Sequence, residues 1–133
     1  MSIRTVAIAT AMLAAWAAPA LAHHSFSMFD HEKTVSVTGT VKEFEFSNPH
    51  AWIHLMAADE SGKPVEWAFE MGSVGQIVAQ GWKRDSIKPG DKLTVEMHPL
   101  KDGTHGGQYV AATLSGGQRL SNPGNNNNNN IIR

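Results

Sequence analysis

Thr34-Val35-Ser36-Val37-Thr38-Gly39-Thr40-Val41-Lys42-Glu43-Phe44-Glu45-Phe46 is a long β-rich run with a fault in its period. Val35, Val37, Gly39 and Val41 hold one parity, while Phe44 and Phe46 hold the other. Side chains alternate between faces along a strand. A one-residue slip therefore throws the phenylalanines to the wrong face unless a bulge absorbs it. Gly39 marks a bend in the same run. The pattern predicts one long, coiled first strand that contributes to two parts of a closed sheet.

The downstream sequence fits that frame. Asn48-Pro49 turns the chain into a second strand over 50–57, and Asp59-Glu60-Ser61-Gly62 reads as a hairpin loop before a third strand over 64–71. Ser73 is placed to cap a short helix from 74 to about 80, with Gly81 as its stop. Lys88-Pro89-Gly90-Asp91 turns into strand four, 92–98, and the glycine-rich stretch 101–107 links to strand five, 108–114. The expected fold is all-β with a small α contribution. It is a five-stranded OB-type barrel with one short helix between strands three and four.

Upstream, Arg4 is the only charge before an apolar run from Val6 to Ala18, and Ala20 and Ala22 fit the small-residue rule of a secretory cleavage site. The chain then divides into a signal peptide (1–22), an N-terminal leader (23–33), the barrel (34–120) and an Asn-rich tail expected to be disordered (121–133). Cleavage after Ala22 makes His23 the amino terminus of a periplasmic or secreted protein; cleavage after Ala20 is the alternative. About 111 residues then remain, enough for one modest core. The formal net charge is −1, or −2 without Arg4, which argues against nucleic acid and anionic lipid as partners. The apolar run is too short for a convincing membrane span. There is no cysteine, so disulfides and thiol chemistry are excluded.

His23-His24-Ser25-Phe26, Thr38-Gly39-Thr40-Val41, Asn48-Pro49-His50, Glu70-Met71-Gly72, Gly81-Trp82-Lys83 and Pro89-Gly90-Asp91 occur in this order. As a set they resemble a family of small exported bacterial proteins of uncharacterised function. The resemblance spans about residues 23–120 and implies export and one small β domain. It implies no activity.

Candidate sites follow from strand parity. Ala51, Ile53, Leu55 and Ala57 are expected inside, with Val65, Trp67, Phe69 and Met71 on the third strand. The outward face then carries His50, Trp52, His54, Glu66 and Glu70, the expected ligand-binding residues on the sheet surface that OB-folds use. A loop over 58–62 sets His54 opposite Glu66 and His50 opposite Glu70. A loop shifted by one residue at each end pairs Met56 with Glu66 and Trp52 with Glu70.

His50 and His54 alone do not make a metal site, since four strand residues separate their backbones by about 13 Å. The leader offers another set in His23, His24, Met28 and His31. A terminal α-amine and imidazoles favour Cu(II), and Met28 sulfur suits Cu(I). Trp82 is expected to plug one barrel end, Met71 and Met97 to pack in the core, and His98 and His105 to be solvated turn residues. No catalytic constellation is visible: no nucleophile elbow and no phosphate-binding glycine loop. The expectation is a non-enzymatic binding or accessory module, monomeric or weakly associating, with copper as its cofactor. A protein- or small-ligand-binding barrel without metal is the alternative, and a metal-dependent enzyme the weaker one.

Overall fold

The computed structural model describes residues 26–121. The expected signal peptide, His23, His24 and the Asn-rich segment after Ser121 lie outside the described residues. Six strands and one helix follow in the order β1 (Val35–Glu45), β2 (Trp52–Ala58), β3 (Pro64–Glu70), α1 (Val74–Ala79), β4 (Lys92–Pro99), β5 (Gly106–Leu114) and β6 (Arg119–Ser121). The sheet order is β3-β2-β1-β4-β5-β6, and β3 also pairs with β5, which closes strands one to five into a barrel. This is the expected OB-type architecture, with its single short helix between β3 and β4.

The fault in the first strand is a bulge. Val35 to Thr40 pairs with β4, Thr40 to Glu45 pairs with β2, and the register shifts between Val41 and Glu43. Lys42 is the residue left over, so Lys42 and Glu43 are both exposed. The slip lets Val41 face the core ahead of the bulge and Phe44 pack against it afterwards. Gly39 is required where the strand coils, because a Cβ there would meet the Met56 carbonyl oxygen at 2.5 Å.

Closure is the second constraint. Ala68, Phe69 and Glu70 of β3 run parallel to Gly106, Gly107 and Gln108 of β5. A Cβ on Gly106 would meet the Ala68 carbonyl oxygen at 2.5 Å, and one on Gly107 would run into the His98 carbonyl and the Met97 sulfur. Both glycines let three strands converge at one seam. Beyond it, β5 turns the rest of that edge to β6 through Ala111, Ala112 and Thr113, a short strand the sequence reading did not anticipate.

The helix is short and fully terminated. Ser73 accepts from the Gln76 amide and the Gln76 side chain accepts from the Ser73 amide, a reciprocal capping box. Gly81, at φ 100°, ends it, and the Trp82 amide donates back to the Ile77 carbonyl at 3.1 Å. That turn delivers Trp82 into the core, where it is 1% exposed. Its indole N–H donates to the Tyr109 hydroxyl at 3.1 Å, and that hydroxyl donates to the Leu120 carbonyl at 2.8 Å. The relay ties the post-helix segment, β5 and β6 together. Met71 and Met97 are core residues as expected, at 4% and 1% exposure.

The leader is partly built into the fold. Phe26–Met28 forms one 3-10 turn, Phe29 is buried and bridges Leu100, the Asp30 amide donates to the Pro99 carbonyl at 2.8 Å, and the Lys101 amide donates to the Met28 carbonyl at 2.9 Å. Residues from Phe26 onward therefore strap across the ends of β4 and β5.

Two outcomes test this architecture. Gly107→Ala should lower the unfolding free energy by about 1–3 kcal/mol through overpacking at the seam, whereas Gly116→Ala, which meets nothing within 4 Å, should stay within about 0.5 kcal/mol in urea titrations. Burial pushes the Tyr109 phenol up to about 12. Tyr109 is the chain's one tyrosine, so ultraviolet titration of the folded protein should show no tyrosinate until well above pH 10. The folded value is the raised one. Its stabilising contribution is therefore complete below about pH 10 and is lost as pH rises towards about 12, and the melting temperature should fall across that window.

Candidate functional site

The outward face of β2 and β3 is where the sequence placed the ligand-binding residues, but in the shifted register. Trp52 pairs with Glu70, His54 with Ala68 and Met56 with Glu66. The arrangement with His54 opposite Glu66 and His50 opposite Glu70 is thereby corrected. The loop sets the shift. Asp59 Oδ1 accepts from the Ser61 amide (2.9 Å), the Ser61 hydroxyl (2.6 Å) and the Lys63 amide (3.0 Å), while the Asp59 amide donates to the Lys63 carbonyl. The turn therefore occupies residues 59–63, and Ala58 pairs with Pro64. The second strand also starts later than expected, at Trp52, although Ala51 still exchanges backbone hydrogen bonds with Met71 and Gly72.

His54 reaches Glu66 on the diagonal instead. Its Nδ1 lies 3.0 Å from Glu66 Oε1 and its Nε2 lies 3.0 Å from Glu45 Oε1. Carboxylates only accept, so the ring that satisfies both contacts carries two N–H groups. Lys42, displaced outward by the bulge, pairs with the other Glu66 oxygen. That ammonium, and then His54, hold the Glu66 carboxyl below its ordinary range, and Glu66 in turn raises Lys42. Lys42, Glu45, His54 and Glu66 thus form a cross-strand ionic lattice on the outer face.

Glu70 is different. Its side chain keeps only 11% of its surface exposed. Oε1 lies 3.7 Å from His50 Nδ1, which donates to the Met71 carbonyl at 3.0 Å. Oε2 is buried and has no hydrogen-bond partner among the described residues. Glu70 lines a cavity of about 180 Å3, bounded by Trp52 and Ala68, by Leu100, by residues 105–107 and by Phe29 of the leader. A carboxylate oxygen in a mainly apolar chamber is a strong acceptor awaiting a donor. The aromatic faces of Trp52 and Phe29 suit a cationic or polarised head.

Several residues differ from their expected places. His105 is exposed as predicted, but its ring lies 4.8 Å from Trp67 and it borders the cavity. Trp67, expected in the core, is only half-buried, with its indole N–H enclosed and without a hydrogen-bond partner among the described residues. His98 is no turn residue. It is a β4 residue, half-buried, with Nδ1 2.7 Å from the Lys33 carbonyl. Of the leader residues proposed as metal ligands, Met28 and His31 are half-buried. His31 Nε2 lies 3.0 Å from the Phe26 carbonyl. No group of three or more His, Cys, Asp or Glu side chains among the described residues is arranged to hold a metal ion.

The fold and the face thus define a small closed β-barrel with an apolar, carboxylate-bearing cavity beneath its leader. The chain belongs to a family of unknown function (DUF6152), whose family model matches residues 10–109. No curated protein and no solved structure matches it. No helix among the described residues is long and apolar enough to cross a membrane.

An unsatisfied carboxylate oxygen in a folded, ligand-free protein costs stability. Glu70→Gln should therefore raise unfolding free energy by about 1 kcal/mol or leave it unchanged, whereas a purely structural glutamate would lose stability on the same change. Thermal and urea unfolding of the two proteins read the difference.

Proposed function

We propose that this protein is an exported, non-catalytic binding module whose ligand occupies the cavity between the leader and the β2–β3–β5 face. The supporting observation is the Glu70 carboxylate, buried against apolar walls with one oxygen unpartnered. The matching ligand is a compact organic ammonium. Its N–H donates to Glu70 Oε2, its charge sits against Trp52 and Phe29, and its hydrocarbon part fills the space beside Leu100. Binding rather than turnover is supported by the lining, which combines one carboxylate and one imidazole with no hydroxyl or thiol nucleophile. Export is supported by the charge, the apolar run and the small-residue cleavage pattern of residues 1–22.

Calorimetric titration with a series of small alkyl- and arylammonium ions, alongside their isosteric alcohols, tests the reading. The ammonium compounds should bind and the alcohols should not. Glu70→Gln should weaken binding by about tenfold or more, the size expected when a charge-assisted hydrogen bond is removed. Equal binding by Glu70→Gln, or no binding by any ammonium compound, would sink the proposal.

A further inference from the structure

The Glu70 cavity makes one polar demand and no second. Around the carboxylate, Phe29, Trp52, Ala68, Leu100, Gly106 and Gly107 present hydrocarbon, aromatic ring or bare backbone. That backbone is already committed. Residues 68–70 of β3 pair with β2 on one edge and with β5 on the other, and Gly107 pairs with Phe69 on one side and Pro99 on the other. The Gly106 carbonyl accepts from the Leu100 amide at 3.1 Å, and the His105 carbonyl accepts from the Ala68 amide at 3.3 Å. The His105 side chain stands at the exposed rim with its ring on Trp67, centroids 4.8 Å apart. No lysine, arginine or hydroxyl side chain lines the chamber among the described residues. Within that lining, Glu70 Oε2 is the buried side-chain atom left without a hydrogen-bond partner.

A second charge on a ligand therefore meets no counter-charge. A ligand carboxylate would lie beside Glu70 with no cation opposite it, and a second ammonium would lie against hydrocarbon with no second carboxylate. A quaternary head carries the charge but no N–H, and leaves Oε2 unpaired.

The volume limits the body. An apolar cavity of about 150 Å3 takes one benzene ring. At about 180 Å3 this chamber takes a ring with one short arm, about seven or eight non-hydrogen atoms. Its floor is fixed, because a Cβ on Gly106 or Gly107 would collide with a neighbouring carbonyl oxygen. Leu100 overhangs that floor, its Cδ1 only 3.5 Å from where a Gly106 Cβ would stand, and its backbone bridges Phe29 of the leader.

Resting on the ammonium-binding reading of this cavity, we infer that the site selects a monoamine: a primary or secondary ammonium on one ring-sized apolar body, with no second polar group. Leu100 sets the length of that body. The site thereby separates an amine from the corresponding α-amino acid, from diamines and from quaternary ammonium ions.

The test is a matched series titrated by calorimetry into the purified protein. Benzylammonium is the reference. Phenylglycine adds a carboxylate to the carbon that bears the nitrogen, p-xylylenediammonium adds a second charged arm, and benzyltrimethylammonium removes the N–H groups. Benzylammonium should bind at least about tenfold more tightly than each of the three. The longer 3-phenylpropylammonium should also bind more weakly than benzylammonium, and Leu100→Ala should narrow or reverse that ratio. Because the ratio is taken within one variant, a general loss of affinity or stability does not imitate it. If phenylglycine or the diammonium binds as tightly as benzylammonium while Glu70→Gln weakens all three, the selectivity is wrong and the ammonium-binding reading stands. An unchanged ratio in Leu100→Ala would remove Leu100 as the gauge of length. Absence of binding by every member of the series would overturn the selectivity and the ammonium-binding reading together.

Discussion

Closure of this five-stranded barrel depends on β1, the strand whose two halves face different neighbours across a bulge. It pairs with β4 over its first half and with β2 over its second, turning the corner at the Lys42 bulge. The extra residue has two effects. Inside, it carries the apolar register from the valines to Phe44, so the core continues past the corner. Outside, it puts Lys42 and Glu43 side by side on the surface, within reach of the neighbouring strands, and Lys42 there meets Glu66, which holds His54. The ionic lattice on the outer face is thus a by-product of closing the barrel. The members of that lattice pair with one another, whereas Glu70 Oε2 is buried with no hydrogen-bond partner among the described residues.

The cavity beside Glu70 has an equally geometric origin. Strands β3, β4 and β5 converge where Gly106 and Gly107 lack side chains, because any Cβ would collide with a neighbouring backbone. The close approach that seals the barrel also leaves the outer surface bare at that point. Leu100 and Phe29 roof the gap rather than fill it. Glu70 is held at its edge by pairing with Trp52 on one side and Gln108 on the other.

Much of this was legible locally and the rest was not. The parity break in residues 34–46 announced the bulge, and Ser73 and Gly81 announced both ends of the helix, because each depends on neighbours within a few residues. The β2–β3 register turned on a one-residue shift in the position of a five-residue loop, from 58–62 to 59–63. The Asp59 side chain decides it through three hydrogen bonds that composition alone does not rank. β6 and the half-burial of Trp67 depend on barrel closure. His98 looked like a turn residue because Pro99 follows it; its partner, the Lys33 carbonyl, lies 65 residues away in sequence. Glu70 was marked by strand parity as an outward residue, but its burial needs Phe29 to dock from the leader.

The leader is accordingly part of the working structure rather than an appendage. It supplies the Phe29 wall of the cavity, and its Phe26 and Lys33 carbonyls hold the rings of His31 and His98. Its attachments include the buried Phe29, the bridge to Leu100, backbone bonds to Pro99 and Lys101, and the contact of the Lys33 carbonyl with His98. A strap with one fully buried residue among 26–33 opens at a smaller free-energy cost than the barrel beneath it. Opening the strap removes a wall from the cavity and releases both imidazole anchors together. An occupant of the cavity would therefore favour the docked leader, and a docked leader would in turn strengthen the binding of that occupant.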